Sequence, residues 1–80
     1  IDRLVVAADE VRILDFKSNR QPPARAEDAP QPYVAQLALY RALVAPLFPG
    51  RRVRCILVWT AGPTLSEIAP EALDAALAAP

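Results

Sequence analysis

Prolines decide where this chain can carry regular structure. There are nine in 80 residues, and each removes a backbone donor and fixes its own φ. Pro22, Pro23, Pro30 and Pro32 crowd one stretch, Pro46 and Pro49 a second, and Pro63 and Pro70 stand apart. The chain ahead of Pro22 has none, so its two apolar runs are free to be strands. Ile1 to Ala7 reads as the first strand, Ala8-Asp9-Glu10 as a tight turn and Val11 to Phe16 as the second strand, together a β-hairpin. Ser18 to Pro32 is a loop. Tyr33 to Val44 keeps its apolar residues on one side and reads as a helix, which Pro46, Pro49 and Gly50 end. Val53 to Thr60 is nearly continuous in apolar residues, as in a strand buried on both faces. Ala61-Gly62-Pro63 turns the chain into a short edge strand, Thr64 to Ile68. Pro70 opens a last helix, Glu71 to Ala78, whose acidic first turn suits the helix dipole and which is expected to pack through Leu73 and Leu77. The order β-β-α-β-β-α predicts an α/β fold with a mixed sheet.

Composition narrows the class. An apolar fraction of 54% supports a buried core and argues against disorder. No apolar run approaches the roughly 20 residues needed to span a membrane, and no signal peptide is visible, so no membrane partner and a cytoplasmic location are expected. A single cysteine, Cys55, excludes an internal disulfide or a Cys-rich metal site and reads as a small buried hydrophobe. The chain opens at Ile1, on what reads as the inside of a strand, so residues 1–80 are taken as a domain fragment of a longer chain. Net charge is zero, and Lys17 is the only lysine. Arg41, Arg51, Arg52 and Arg54 lie close in sequence, with Arg20 and Arg25 in the loop. Arginine forks suit phosphate oxygens, but this charge pattern by itself favours a solvated surface. No G-x-x-x-x-G-K-[ST] is present, so ATP hydrolysis is not expected here.

The hairpin holds the chemistry. With Asp9 and Glu10 as its two central turn residues, Val6 faces Ile13, Leu4 faces Asp15 and Asp2 faces Lys17. Opposed residues share a face and side chains alternate with period two. One face then carries Leu4, Val6, Val11 and Ile13 at an apolar turn end and gathers Asp2, Asp15 and Lys17 at its open end. Asp2 and Asp15 are diagonal neighbours about 7–8 Å apart at the backbone, and their carboxylates can converge on one cation. Oxygen ligands with waters to spare suit Mg²⁺ or Mn²⁺. Such an ion activates water and stabilises charge on a phosphate, and a lysine beside it can orient water or neutralise developing charge. The same pattern also fits a salt-bridged hairpin end with exposed charges, and, taken alone, Asp-x-Lys favours that plainer reading.

The helix adds a stripe. Tyr33, Gln36 and Tyr40 fall at i, i+3 and i+7, on one face. Their hydroxyls, amide and rings could hold a DNA phosphate or stack on a base; an amphipathic helix with two half-buried tyrosines gives the same pattern.

Three segments, Ile1-Asp2-Arg3, Ile13-Leu14-Asp15-Phe16-Lys17-Ser18 and Tyr33-Val34-Ala35-Gln36-Leu37-Ala38-Leu39-Tyr40, together resemble the RecB-family branch of the PD-(D/E)XK nucleases. Their order is an aspartate in one strand, D-x-K in the next and Q-x-x-x-Y on a helix. Asp-Phe-Lys-Ser-Asn-Arg and the late Val-Trp-Thr are similar to the C-terminal nuclease domain of alphaproteobacterial AddA-type helicase–nucleases. The resemblance implies a restriction-endonuclease-like fold, a mixed sheet with flanking helices. It implies Asp2 and Asp15 as metal ligands with the backbone carbonyl of Phe16, Lys17 as the catalytic lysine, and Gln36 and Tyr40, extended by Tyr33, as active-site or DNA support. It implies a Mg²⁺- or Mn²⁺-dependent exonuclease acting in double-strand break repair, with single-stranded DNA ends as substrate. Helicase domains of the same chain and an AddB-type subunit would be its partners. The family carries a further acidic residue or histidine on a helix upstream of the first aspartate. This chain has no histidine, and that N-terminal part of the fold is expected to be missing, leaving the fragment weak or inactive alone. The alternative is a catalytically silent domain that docks DNA or a subunit.

Overall fold

The computed structural model describes residues 1–18 and 21–78. Arg20 and the Asn-Arg end of the Asp-Phe-Lys-Ser-Asn-Arg segment lie outside the described residues. The elements follow the expected order: β1 (Arg3–Val6), β2 (Glu10–Lys17), a 3-10 turn (Ala26–Asp28), α1 (Gln31–Val44), a second 3-10 turn (Ala45–Leu47), β3 (Arg52–Trp59), β4 (Thr64–Ile68) and α2 (Pro70–Ala78).

The four strands form one mixed sheet in the order β1-β2-β3-β4. β1 and β2 pair antiparallel, β2 and β3 parallel, β3 and β4 antiparallel. A parallel neighbour needs a long crossover, and α1 supplies it. The helix starts two residues before Tyr33, because Pro32 sits in its first turn, where a missing N–H costs nothing. The Pro30 carbonyl takes the amides of Tyr33 and Val34 at 3.0 and 3.3 Å. After α1, Gly50 turns the chain into β3 at φ 80°, a backbone conformation that glycine adopts without strain.

The hairpin register differs from the sequence expectation by two residues. Arg3 pairs with Leu14, Leu4 with Ile13, Val5 with Arg12 and Val6 with Val11. Ala7 N–H donates to the Glu10 carbonyl at 2.8 Å, which makes Ala8 and Asp9 the central turn residues. Glu10 is therefore a strand residue, not a turn residue. Its carboxylate accepts from Arg12 and, at 3.1 Å, from Arg54 on β3, which also reaches Glu67 on β4 at 2.6 Å. Those pairs, with Glu10 N-terminal on β2 facing Arg52 on β3, hold the turn one step earlier than the Asp9-Glu10 placement. A shift of two leaves every side chain on its face, so Asp2, Asp15 and Lys17 stay together.

One face of the sheet is the core face. Val11 and Ile13 of β2, Cys55, Leu57 and Trp59 of β3 and Ile68 of β4 are buried there beneath Val34, Leu37, Ala38 and Val44 of α1 and Leu73 of α2. Both helices lie on this face. The opposite face carries Phe16 and Leu65, both exposed, so only the centre of β3, Cys55 to Leu57, is buried on both sides. One packing expectation fails. Leu77 is 52% exposed, leaving Leu73 as the anchor of α2. At the apolar turn end of the hairpin Val11 and Ile13 are buried while Leu4 and Val6 are 40% and 48% exposed, because α1 lies over β2 and β3.

Candidate active site

The site forms where β2 outruns β1. Continuing the hairpin register one step outward from Arg3 and Leu14 sets Asp2 opposite Asp15. Hydrogen-bonded and non-hydrogen-bonded pairs alternate along an antiparallel ladder. Counting from the Ala7–Glu10 bond, the Asp2–Asp15 pair is a non-hydrogen-bonded one, whose Cα atoms approach to about 4.5 Å. The carboxylates are thus direct neighbours and not diagonal ones. The backbone fixes one of them: Phe16 N–H donates to Asp2 Oδ2 at 2.7 Å. The Lys17 carbonyl accepts from Thr60 N–H on the β3 side at 3.0 Å. Carbonyl directions alternate along a strand, so the Phe16 carbonyl points to the opposite edge, the Asp2 edge.

Electrostatics separates the two acids. Asp15 is 7% exposed, and burial, with Asp2 alongside, pushes its carboxyl above the usual value of 3.8. Asp2 is open to solvent, and the contact with Asp15 and the Phe16 amide hold it below that value. The two titrate as a pair. Lys17 Nζ stands 3.1 Å from Asp15 Oδ2, too poorly aligned for a hydrogen bond, and that oxygen is buried with no hydrogen-bond partner. A buried oxygen of this kind costs free energy until something satisfies it.

Lys17 is largely enclosed. Its ammonium lies over the Tyr33 ring, 4.1 Å from the centroid. Tyr33 in turn meets Trp59, ring centroids 6.1 Å apart at 49°. Trp59 is fully buried, and its indole N–H donates to Ser66 Oγ at 2.9 Å. This chain of contacts was not foreseen from the sequence. Period-two alternation carries the signal: Lys17 and Trp59 are register partners on the core face, and Thr64 and Ser66 follow on β4.

Of the expected helix stripe, the structure brings Tyr33 to the cluster. Tyr40 is half-buried against the core, and Gln36 is exposed. Of the clustered arginines, Arg41 pairs with Asp74, Arg54 with Glu10 and Glu67, and Arg51 lies over Phe48. Two of the four are thus engaged by acids, as on a solvated surface.

The residues present suit a divalent cation. Two carboxylates crowd each other, one keeps a buried oxygen unsatisfied, and a cation between them would relieve both conditions. Among the described residues, no group of three or more His, Cys, Asp and Glu side chains is placed to hold a metal.

The fold and cluster define a class: a mixed α/β sheet with an acid pair and a lysine at the open end of a hairpin. A model of the PD-(D/E)XK nuclease superfamily matches residues 1–76, and the chain belongs to that superfamily. Its sheet is of the restriction-endonuclease-like type, and proteins of the superfamily are nucleases that generally use divalent metals. No curated protein and no solved structure matches the chain. No helix among the described residues is long and apolar enough to cross a membrane.

Proposed function

We propose that this chain is the metal-binding heart of a deoxyribonuclease of the RecB-family branch. In this reading it is the exonuclease domain, or part of it, of an AddA-type helicase–nuclease that processes double-strand breaks. The observation that carries the catalytic reading is the buried Asp15 oxygen, paired with Lys17 Nζ at 3.1 Å and with a second carboxylate, Asp2, opposite it. A plain salt bridge matches one acid to one base; here two carboxylates share one ammonium.

Each residue then has a task. Asp2 and Asp15 would hold Mg²⁺ or Mn²⁺ with the Phe16 carbonyl. The bound ion would supply an activated water and charge stabilisation at the scissile phosphate. The Phe16 amide keeps Asp2 aimed inward. Lys17 presents a fixed positive charge to the phosphate, where developing negative charge is neutralised without reorganisation. Gln36, on the exposed side of α1, and Tyr40 are support for the DNA strand. The substrate is a single-stranded DNA end, delivered by helicase domains of the same protein and an AddB-type subunit.

The test is cleavage of end-labelled single-stranded DNA with Mg²⁺ or Mn²⁺, by the wild type and by Lys17→Ala, in the full protein that carries this chain. Removing the lysine should lower cleavage at least a hundredfold, the scale of a lost charge-stabilising group. Equal cleavage by both would end the mechanism. A folded wild type that cleaves nothing with either metal would point to a domain that docks DNA or a subunit.

A further inference from the structure

We infer that Tyr33 is a positioning residue for Lys17, acting through the face of its ring. The inference rests on the nuclease reading above, in which Lys17 neutralises charge on the phosphate.

A lysine ammonium ends four rotatable bonds and needs something to hold it. Asp15 alone is a poor holder. Its carboxylate is shared: it faces Asp2 and, in the functional state, a cation that competes with Lys17 for the same Oδ2. The Tyr33 ring gives the ammonium a second hold. Its face takes the ammonium at 4.1 Å, well inside the range of cation–π attraction, and the attraction persists when Asp15 turns to a metal.

The ring is itself held. Tyr33 enters α1 in its first turn, where the Pro30 carbonyl binds its amide at 3.0 Å. Its ring meets Trp59, and Trp59 is locked by Ser66 from the edge strand. A single line of contacts thus runs from β4 through β3 and α1 to the ammonium on β2. Lys17 pairs in register with Trp59, so its aliphatic stem lies beside the indole while its head reaches the phenol ring.

The ring face and the hydroxyl can be separated. Tyr33→Phe keeps the ring; Tyr33→Leu removes it while keeping apolar bulk. Lys17 is the only lysine in the chain, so lysine-selective carbon labelling gives one set of ε-methylene signals. In the wild type and in Tyr33→Phe those signals should lie upfield of free lysine, shifted by the ring current, and in Tyr33→Leu they should return to the free position. In cleavage by the full protein that carries this chain, Tyr33→Leu should lower kcat about tenfold at unchanged KM, and Tyr33→Phe should restore it to near wild type.

Unshifted ε signals in the wild type would overturn the contact, even if Tyr33→Leu failed to fold. Tyr33→Phe losing kcat would assign the effect to the hydroxyl and overturn the ring's role. A raised KM at constant kcat would make Tyr33 a DNA contact and overturn the positioning role. Ring-shifted signals in this chain, with no cleavage by the full protein that carries it, would defeat the nuclease reading itself, and with it the function assigned to the contact.

Discussion

The Asp15 carboxyl is buried beside Asp2 at the open end of the hairpin. Its ionised form is disfavoured by burial first and by Asp2 second, and Lys17 only partly compensates. The sign follows from linkage. Its folded value lies above 3.8, so folding is penalised at pH above that raised value. The penalty fades as pH falls back toward 3.8. Asp2 works the other way: its lowered value adds stability above 3.8 that is lost as pH falls further. Asp15→Asn removes the disfavoured charge and keeps the shape. It should melt higher than the wild type at about pH 7, with the difference closing as pH approaches 3.8, while cleavage is lost. Thermal melts across that range check it; a variant that melts lower at neutral pH would show that the Lys17 pair outweighs the burial cost. At this scale the sequence was informative because strand parity is rigid. Asp2, Asp15 and Lys17 share a face in any even register, and Cys55 was legible as core. The burial of the Asp15 oxygen, the Phe16 amide bond to Asp2 and the Tyr33 ring contact were not, since they depend on side-chain torsions that no spacing encodes.

Elements were legible in kind and order, and less so at their ends. β1 is shorter than Ile1 to Ala7 because β2 outruns it, and the same overhang leaves the Phe16 amide for the Asp2 carboxylate. The turn moved to Ala8-Asp9 because Glu10 is claimed by arginines from its own and the neighbouring strand, a tertiary pull that hairpin rules do not contain. α1 positions Tyr33, and its grip on the sheet is Leu37, fully buried. Leu37→Ala should cost about 2–5 kcal/mol, read by denaturant unfolding, and should loosen the Tyr33–Lys17 contact with it. β3 gives an independent check. The Cys55 thiol is fully buried, and burial pushes it up to about 11. It should resist thiol reagents at neutral pH until the chain unfolds. Rapid labelling of folded protein would mean that α1 does not seal β3.

As a whole the molecule is a one-sided sandwich: helices cover one face of the sheet, and the site lies at the end of that covered face where β1 stops. The mixed α/β class was readable from the element order, and the superfamily from three short motifs, because together they fix strand, next strand and helix around one point. That both helices fall on the same side was not readable. Periodicity shows that a helix has a buried face, not which side of a sheet it covers. The account's central claim is that Asp2 and Asp15 together form a divalent-cation site. The most direct measurement is calorimetric titration of Mn²⁺ into the wild type, Asp2→Asn and Asp15→Asn at neutral pH. The wild type should take up Mn²⁺ and each variant should lose that binding, because neither carboxylate has a third acidic partner among the described residues. Equal Mn²⁺ binding by all three would contradict the claim and leave the hairpin end a salt-bridged surface.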